Sequence, residues 1–214
     1  MKTVAVMPIK LNNERLPGKN TKILGDKPLL QYELNNLRQI RGIEKIIVYC
    51  SDDSVCQYLP NGVDFAKRAD FLDLPTSNFT QIFENFMAEF DADIYVYAHA
   101  TAPFITIGTM QECLDSVKSG YYDSAFCAVK IQDFLWQNGK PLNFDATNVP
   151  RSQDLKPIYR ETSDVYVFTK DVFQKYRRRI GMRPFIKEVT YKEAVDINTA
   201  EDFALAEAML GVEL

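Results

Sequence analysis

The chain switches repeatedly between two hydrophobic periods, and that switching constrains its fold more than any single residue does. Apolar runs of strand length recur at Val4–Ile9, Ile46–Cys50, Val63–Ala66, Ile94–Ala98, Ser124–Val129 and Val165–Phe168. Between several of them the period lengthens to that of a helix. Pro28 opens one such stretch, with Leu30, Leu34 and Leu37 on one face. Asn78 and Gln81 have the spacing of a capping box, and Ile82, Phe83, Phe86, Met87 and Phe90 follow as an apolar stripe. Thr109 with Glu112 is expected to cap a third helix, carrying Met110, Cys113, Leu114 and Val117. Thr199, with Glu201 and Asp202, starts the last one, and Phe203, Leu205, Ala206 and Met209 are expected to face inward. Strands alternating with helices specify an α/β fold whose mainly parallel sheet is covered on both faces.

A length of 214 residues suits a single domain, 1–214, and no linker or internal repeat divides it. At that size roughly 70% of the unfolded surface can be buried, so neither disulfides nor a structural metal is needed. The alternation breaks over 131–160, where an Asn-Gly pair and three prolines interrupt alternating apolar residues. A hairpin followed by an irregular segment is expected there, with Phe134, Leu135 and Trp136 as a candidate partner surface. The net charge of −4, with no long basic stripe, argues against nucleic acid as a partner. The run Arg177, Arg178, Arg179 reads as a solvated face or a favourable helix C-terminus. Cys50, Cys56, Cys113 and Cys127 form no CxxC pair, and His99 is the single histidine, so a Cys/His zinc site is not expected. Reduced, mostly buried thiols fit a cytoplasmic protein. No apolar run is long enough to span a membrane, and the N-terminal run is too short and interrupted for a signal peptide.

One stretch demands a reason of its own. Immediately after the first strand, MPIKLNNERLPGKN gathers Lys10, Arg15 and Lys19 around a Pro-Gly turn. In an open parallel sheet, ligands bind beyond the C-terminal ends of the strands. The three cations therefore stand over the expected crevice, where a triphosphate would justify them. Neither GxGxxG nor GxxxxGK[ST] is present, which disfavours dinucleotide and P-loop readings.

These residues resemble the cytidylyltransferases that activate acidic sugars, the acylneuraminate and ketodeoxyoctonate enzymes. The family pattern is close to I-P-A-R-x-x-S-x-x-L-P-x-K-N, and here Met7, Pro8, Ile9, Lys10, Asn13, Leu16, Pro17, Lys19 and Asn20 stand in register with it. IIVYCSDD (46–53), AKRAD with Arg68, HATAPF (99–104), RSQDLKPIYRETSDVYVF (151–168) and VDINTAEDFALAEAML (195–210) continue the likeness in order. The resemblance implies a Rossmann-like three-layer α/β/α nucleotidyltransferase fold with a β-hairpin dimerisation insertion at 131–160, and hence a homodimer. It implies transfer of CMP from CTP to the anomeric hydroxyl of an acidic sugar, with Mg²⁺ and release of pyrophosphate. By the same likeness Lys10, Arg15 and Lys19 are catalytic through the triphosphate. Asn13, Asn20, Arg68 and Ser77 join them around the nucleotide. His99, Thr101 and Arg160 line the sugar side, and Asp196 and Asn198 stand at the metal.

Departures from the pattern cluster at the acceptor and metal positions. Asn198 stands where the family has a second aspartate, and an amide oxygen brings no charge to Mg²⁺. Lys10 replaces an arginine, His99 a glutamine, and Thr162-Ser163 an Asn-Gly. They point to a modified nonulosonic acid or another small acid as acceptor. Two other readings follow from the same residues: nucleotidyl transfer with a different base or a sugar phosphate, and a CTP or CMP-sugar binding protein that has lost catalysis. A capped turn before the last helix is the structural alternative for Asp196 and Asn198.

Overall fold

The computed structural model describes residues 1–212. Its strands are β1 (Thr3–Ile9), β2 (Ile23–Leu24), β3 (Lys27–Pro28), β4 (Lys45–Cys50), β5 (Asp64–Lys67), β6 (Ile94–Ala98), β7 (Ser124–Ile131), β8 (Trp136–Gln137), β9 (Lys140–Pro141), β10 (Ile158–Thr169) and β11 (Pro184–Glu188). Its α-helices are α1 (Leu29–Leu37), α2 (Phe79–Glu89), α3 (Ile107–Lys118), α4 (Lys170–Tyr176) and α5 (Ala200–Met209). Seven strands form one sheet in the order β11-β7-β10-β6-β1-β4-β5. β10 is antiparallel to both its neighbours, and the other pairings are parallel. The expected mainly parallel α/β architecture is therefore the observed one.

The period-2 alternation divides the strand residues between two cores. Ala5, Met7 and Ile9 of β1 join Ile46, Val48 and Cys50 of β4 and Ile94, Val96 and Ala98 of β6 on one face. There α1 supplies Leu30, Leu34 and Leu37, and α3 supplies Met110, Cys113, Leu114 and Val117. On the other face Val4 and Val6 meet Ile47, Tyr49, Tyr95, Tyr97, Tyr166 and Phe168 under Phe83 and Phe86 of α2 and Val172 and Phe173 of α4. That second core is built from aromatic rings at edge-to-face angles, such as Phe83 and Tyr95 at 4.9 Å and 90°. A third, small cluster packs α5, through Phe203 and Ala206, onto Leu24, Leu29 and Ile197 beside the β2–β3 ribbon.

Several local details differ from the sequence reading. Thr106 caps α3, its hydroxyl accepting from Thr109 N–H at 3.1 Å. Thr109 instead donates its hydroxyl to the buried Glu193 at 2.6 Å, a long-range tie that spacing does not reveal. Leu205 is exposed, because α5 lies on the outside of the molecule and buries a narrow stripe. α4 and β11 had no distinct apolar period; β11 is an edge strand with a half-open face. Asn138 and Gly139 both have positive φ, 52° and 73°, which makes the β8–β9 turn the tight primed hairpin that Asn-Gly favours. Cys50, Cys113 and Cys127 are buried and free, while Cys56 is exposed.

Candidate active site

The site lies at the C-terminal edge of β1, β4 and β6, where β1 has one neighbour on each side and the connections diverge. The segment leaving β1 turns at Gly18, whose φ of 65° is left-handed and suits glycine. The short 3-10 turn Lys19–Thr21 follows. Asn20 Nδ2 donates to the Lys10 carbonyl at 3.0 Å and so ties the two ends of the loop together.

Lys10, Asn13, Arg15 and Lys19 line one cavity of about 260 Å³ together with Glu14, Leu16 and Asn198. Lys19 is buried, and its Nζ donates to the Ile197 carbonyl at 2.7 Å. Burial lowers its pKa, an effect that Asp196 opposes and Arg15 reinforces. Arg15 Nη2 donates to Asn198 Oδ1 at 2.7 Å, and Asn198 Nδ2 donates to Asp196 Oδ2 at 2.7 Å. The amide at 198 thus joins a cation to a carboxylate, each through the atom of the right polarity. Asp196 Oδ1 is buried and has no hydrogen-bond partner. Asp202 accepts from the Asn198 and Thr199 N–H groups at 2.9 and 2.8 Å, which fixes this segment at the start of α5.

A second cavity, also about 260 Å³, shares Lys10 with the first and is lined by Arg68, Asp73, Ser77, Ile82, Tyr97 and His99 among others. Arg68 is 3% exposed and grips Asp73 through Nε at 2.9 Å and through Nη2. Ser77 Oγ donates to the Phe71 carbonyl at 2.8 Å. His99 has its pKa pushed down to about 4, by burial first and by the Arg179 charge next, so its imidazole is neutral at pH 7. Its Nε2 is buried without a partner.

The sequence-expected residues are only partly brought together. Lys10, Asn13, Arg15, Lys19 and Asn198 share one cavity, and Arg68, Ser77 and His99 share its neighbour. Thr101 reaches the site through its backbone, accepting from Ile197 N–H at 2.9 Å. Arg160 is exposed on β10 and lines neither cavity. Two buried carboxyl groups beneath His99 escaped the sequence reading. Asp164 is fully buried and its pKa is pushed up to about 7 by burial, against the hydrogen bond from Thr162. Glu33, on the buried face of α1, is held well above the usual carboxylate range by burial and then by Asp164. The available signal was an acid at position 33 within a leucine stripe.

Comparison with known proteins bears on the family and the fold. The model of a family described as cytidylyltransferase matches residues 4–211. An N-acylneuraminate cytidylyltransferase of Streptococcus agalactiae serotype III is 19% identical over 95% of this chain and 52% of its own length. The chain spans about half the length of the first curated relatives it matches. A CMP-N,N'-diacetyllegionaminic acid synthase of Legionella pneumophila is 24% identical, and the match covers 98% of this chain and 97% of the relative. Among solved structures, a CMP:2-keto-3-deoxy-manno-octonic acid synthetase complexed with CTP has a TM-score of 0.76 at 19% identity, covering 100% of both chains.

Proposed function

The chain belongs to the cytidylyltransferase family, and on that footing we propose that it transfers CMP from CTP to the anomeric hydroxyl of an acidic sugar, releasing pyrophosphate. The observation that carries this reading is the cavity in which Lys10, Arg15 and Lys19 converge beyond the end of β1. Phosphoryl transfer asks the protein chiefly for positioning and charge neutralisation. Lys19, fixed by the Ile197 carbonyl, and Arg15, fixed by Asn198, would neutralise the triphosphate and the departing pyrophosphate. Lys10 lines both cavities and so stands where nucleotide and acceptor would meet. Asn13, Asn20, Arg68 and Ser77 would shape the nucleotide side, Arg68 through the orientation of Asp73 as much as through its own charge. Neutral His99 would take the acceptor hydroxyl as a hydrogen-bond partner at Nε2 rather than as a cation.

The residues present fit a divalent cation that arrives with the nucleotide. Asp196 offers a buried, unpartnered carboxylate oxygen; the Asn198 amide now turns its Nδ2 to Asp196 and its oxygen to Arg15, and that oxygen would have to leave Arg15 to join the cation. Among the described residues no group of three His, Cys, Asp or Glu side chains could hold a metal ion, so phosphate oxygens would have to complete the coordination. Bound there, Mg²⁺ would add positive charge at the phosphates.

The acceptor we favour is a modified nonulosonic acid, since relatives that match nearly the whole chain include one named for legionaminic acid. The test is pyrophosphate release with CTP and a panel of acidic sugars. No release with any acid would leave the second reading, a CTP or CMP-sugar binding protein, which the uncharged Asn198 favours. Asn198→Asp separates the two. It should raise a weak Mg²⁺-dependent activity several-fold, and it should create none in a protein that only binds.

We also propose a homodimer through the 131–160 segment, where Trp136 is 60% exposed and packs edge-on to Phe144 at 5.5 Å. No helix among the described residues is long and apolar enough to cross a membrane, and a cytoplasmic location fits the proposed use of CTP.

A further inference from the structure

The Asn198 side chain, in the cavity with Lys10, Arg15 and Lys19, stands between charges of opposite sign. Its Oδ1 accepts from Arg15 Nη2 at 2.7 Å and lies 3.5 Å from Lys19 Nζ. Its Nδ2 donates to Asp196 Oδ2 at 2.7 Å. Arginine and lysine only donate, and an ionised carboxylate only accepts, so the amide serves both sides in one orientation and neither side in the other. An aspartate at 198 would satisfy Arg15 but face Asp196 with like charge. An apolar residue would bond to neither.

The backbone at this point is held, while the side chain can turn. Asn198 N–H donates to Asp202 at 2.9 Å, and Ile197 N–H donates to the Thr101 carbonyl at 2.9 Å. The terminal torsion of an asparagine is broad and two-fold, so a half-turn of the amide exchanges Oδ1 and Nδ2 in nearly the same space. In the turned state the amide oxygen faces Asp196, whose Oδ1 is buried and has no hydrogen-bond partner. Arg15 has then lost its acceptor, and its exposed guanidinium is available to a phosphate. The amide oxygen can hold Arg15 or join the Asp196 carboxylate as a ligand, and the two uses exclude each other.

We propose that Asn198 is a positioning residue that couples cation entry to nucleotide binding. Without nucleotide it holds Arg15 at the cavity and keeps the Asp196 side closed to a divalent cation. When a triphosphate takes the Arg15 guanidinium, the amide turns and opens that side. By linkage, a cation drawn to Asp196 in turn releases Arg15 to the phosphates. The inference rests on the reading that this cavity takes a nucleoside triphosphate with a divalent cation.

The probe is Mn²⁺, followed by its electron paramagnetic resonance on nucleotide-free protein. A double-mutant cycle separates action through the amide from action by charge. Arg15→Ala should tighten Mn²⁺ binding about tenfold over the parent. In the Asn198→Ala background the same change at Arg15 should alter Mn²⁺ binding less than about threefold, since an exposed charge is largely screened by salt. A gain that persists in full in the Asn198→Ala background would mean that Arg15 acts by charge alone. Equal binding by the parent and Arg15→Ala, or no Mn²⁺ binding by any of the four proteins, would mean that the amide holds nothing closed. Any of these results overturns the proposal. CTP titration in EDTA tests the underlying reading by itself, and Arg15→Ala should weaken CTP about tenfold. If CTP affinity is unchanged by Arg15→Ala while the Mn²⁺ cycle behaves as expected, the triphosphate reading of Arg15 falls and control of the cation by Asn198 stands.

Discussion

At the scale of single residues, the chain places acids where an apolar neighbour would be the simpler choice. Asp164 has no exposure, and its pKa moves from 3.8 to about 7. Between those values the folded protein binds more protons than the unfolded chain, so this group lowers stability as pH rises. The penalty is absent below about pH 4, grows up to about pH 7 and is complete above it, on the order of 4 kcal/mol. His99 acts with the opposite sign, since its folded value of about 4 lies below its usual 6.5 and its contribution grows as pH rises between them. Asp164→Asn keeps an acceptor for Thr162 and leaves His99 in place. Denaturant melts at pH 5 and pH 8 should show the variant gaining on the parent at the higher pH, and a constant difference would refute the shift. Removing Asp164 also relieves Glu33, because the two carboxyl groups repel each other. The cation loop was legible at this scale, since Lys10, Arg15 and Lys19 do converge. The partners of those cations were not, because Ile197 and Asn198 lie more than 170 positions further along the chain.

At the scale of elements, helix starts are set by short side-chain contacts. Asn78 and Gln81 form the capping box that their spacing suggested, with bonds of 3.0 and 3.1 Å. Asn78→Ala should cost about 1 kcal/mol, or roughly 2–4 °C in Tm. Thr106→Ala should cost more, since Thr106 also donates to Glu193 at 3.0 Å and that acid is buried. Equal losses in thermal melts would show that Glu193 is indifferent to Thr106. The cap of α3 was misread because Thr109 has a Glu three residues on and so the spacing of a capping box, whereas Thr106, the observed cap, has Thr109 there and no such signature. The 131–160 hairpin was legible from its Asn-Gly turn, whereas its exposed Trp136 gives no sign of what covers it. Trp136→Glu should turn a dimer into a monomer by light scattering, and a parent that is monomeric at every concentration would end that proposal.

For the whole molecule, the nucleotide reading makes stability depend on CTP. At a concentration one hundred times Kd a ligand of the folded state adds about 2.7 kcal/mol. For a chain of this size that corresponds to a Tm rise of roughly 5–10 °C. CTP with Mg²⁺ should give the larger rise, and ATP, GTP and UTP less. Equal rises with all four would argue against a cytidine site. By itself the sequence determined the three-layer α/β plan, because periods of 2 and 3.6 are local and repeat in every element. It also determined that the cations follow β1, because a parallel sheet sends its loops to one edge. Only the tertiary structure decided which charges meet. It set Arg179 on Tyr166, Asp73 on Arg68, and Glu33 near Asp164. The cause is packing: how α1, α4 and the segment before α5 seat on the sheet fixes these side chains, and no local period in the sequence encodes that seating.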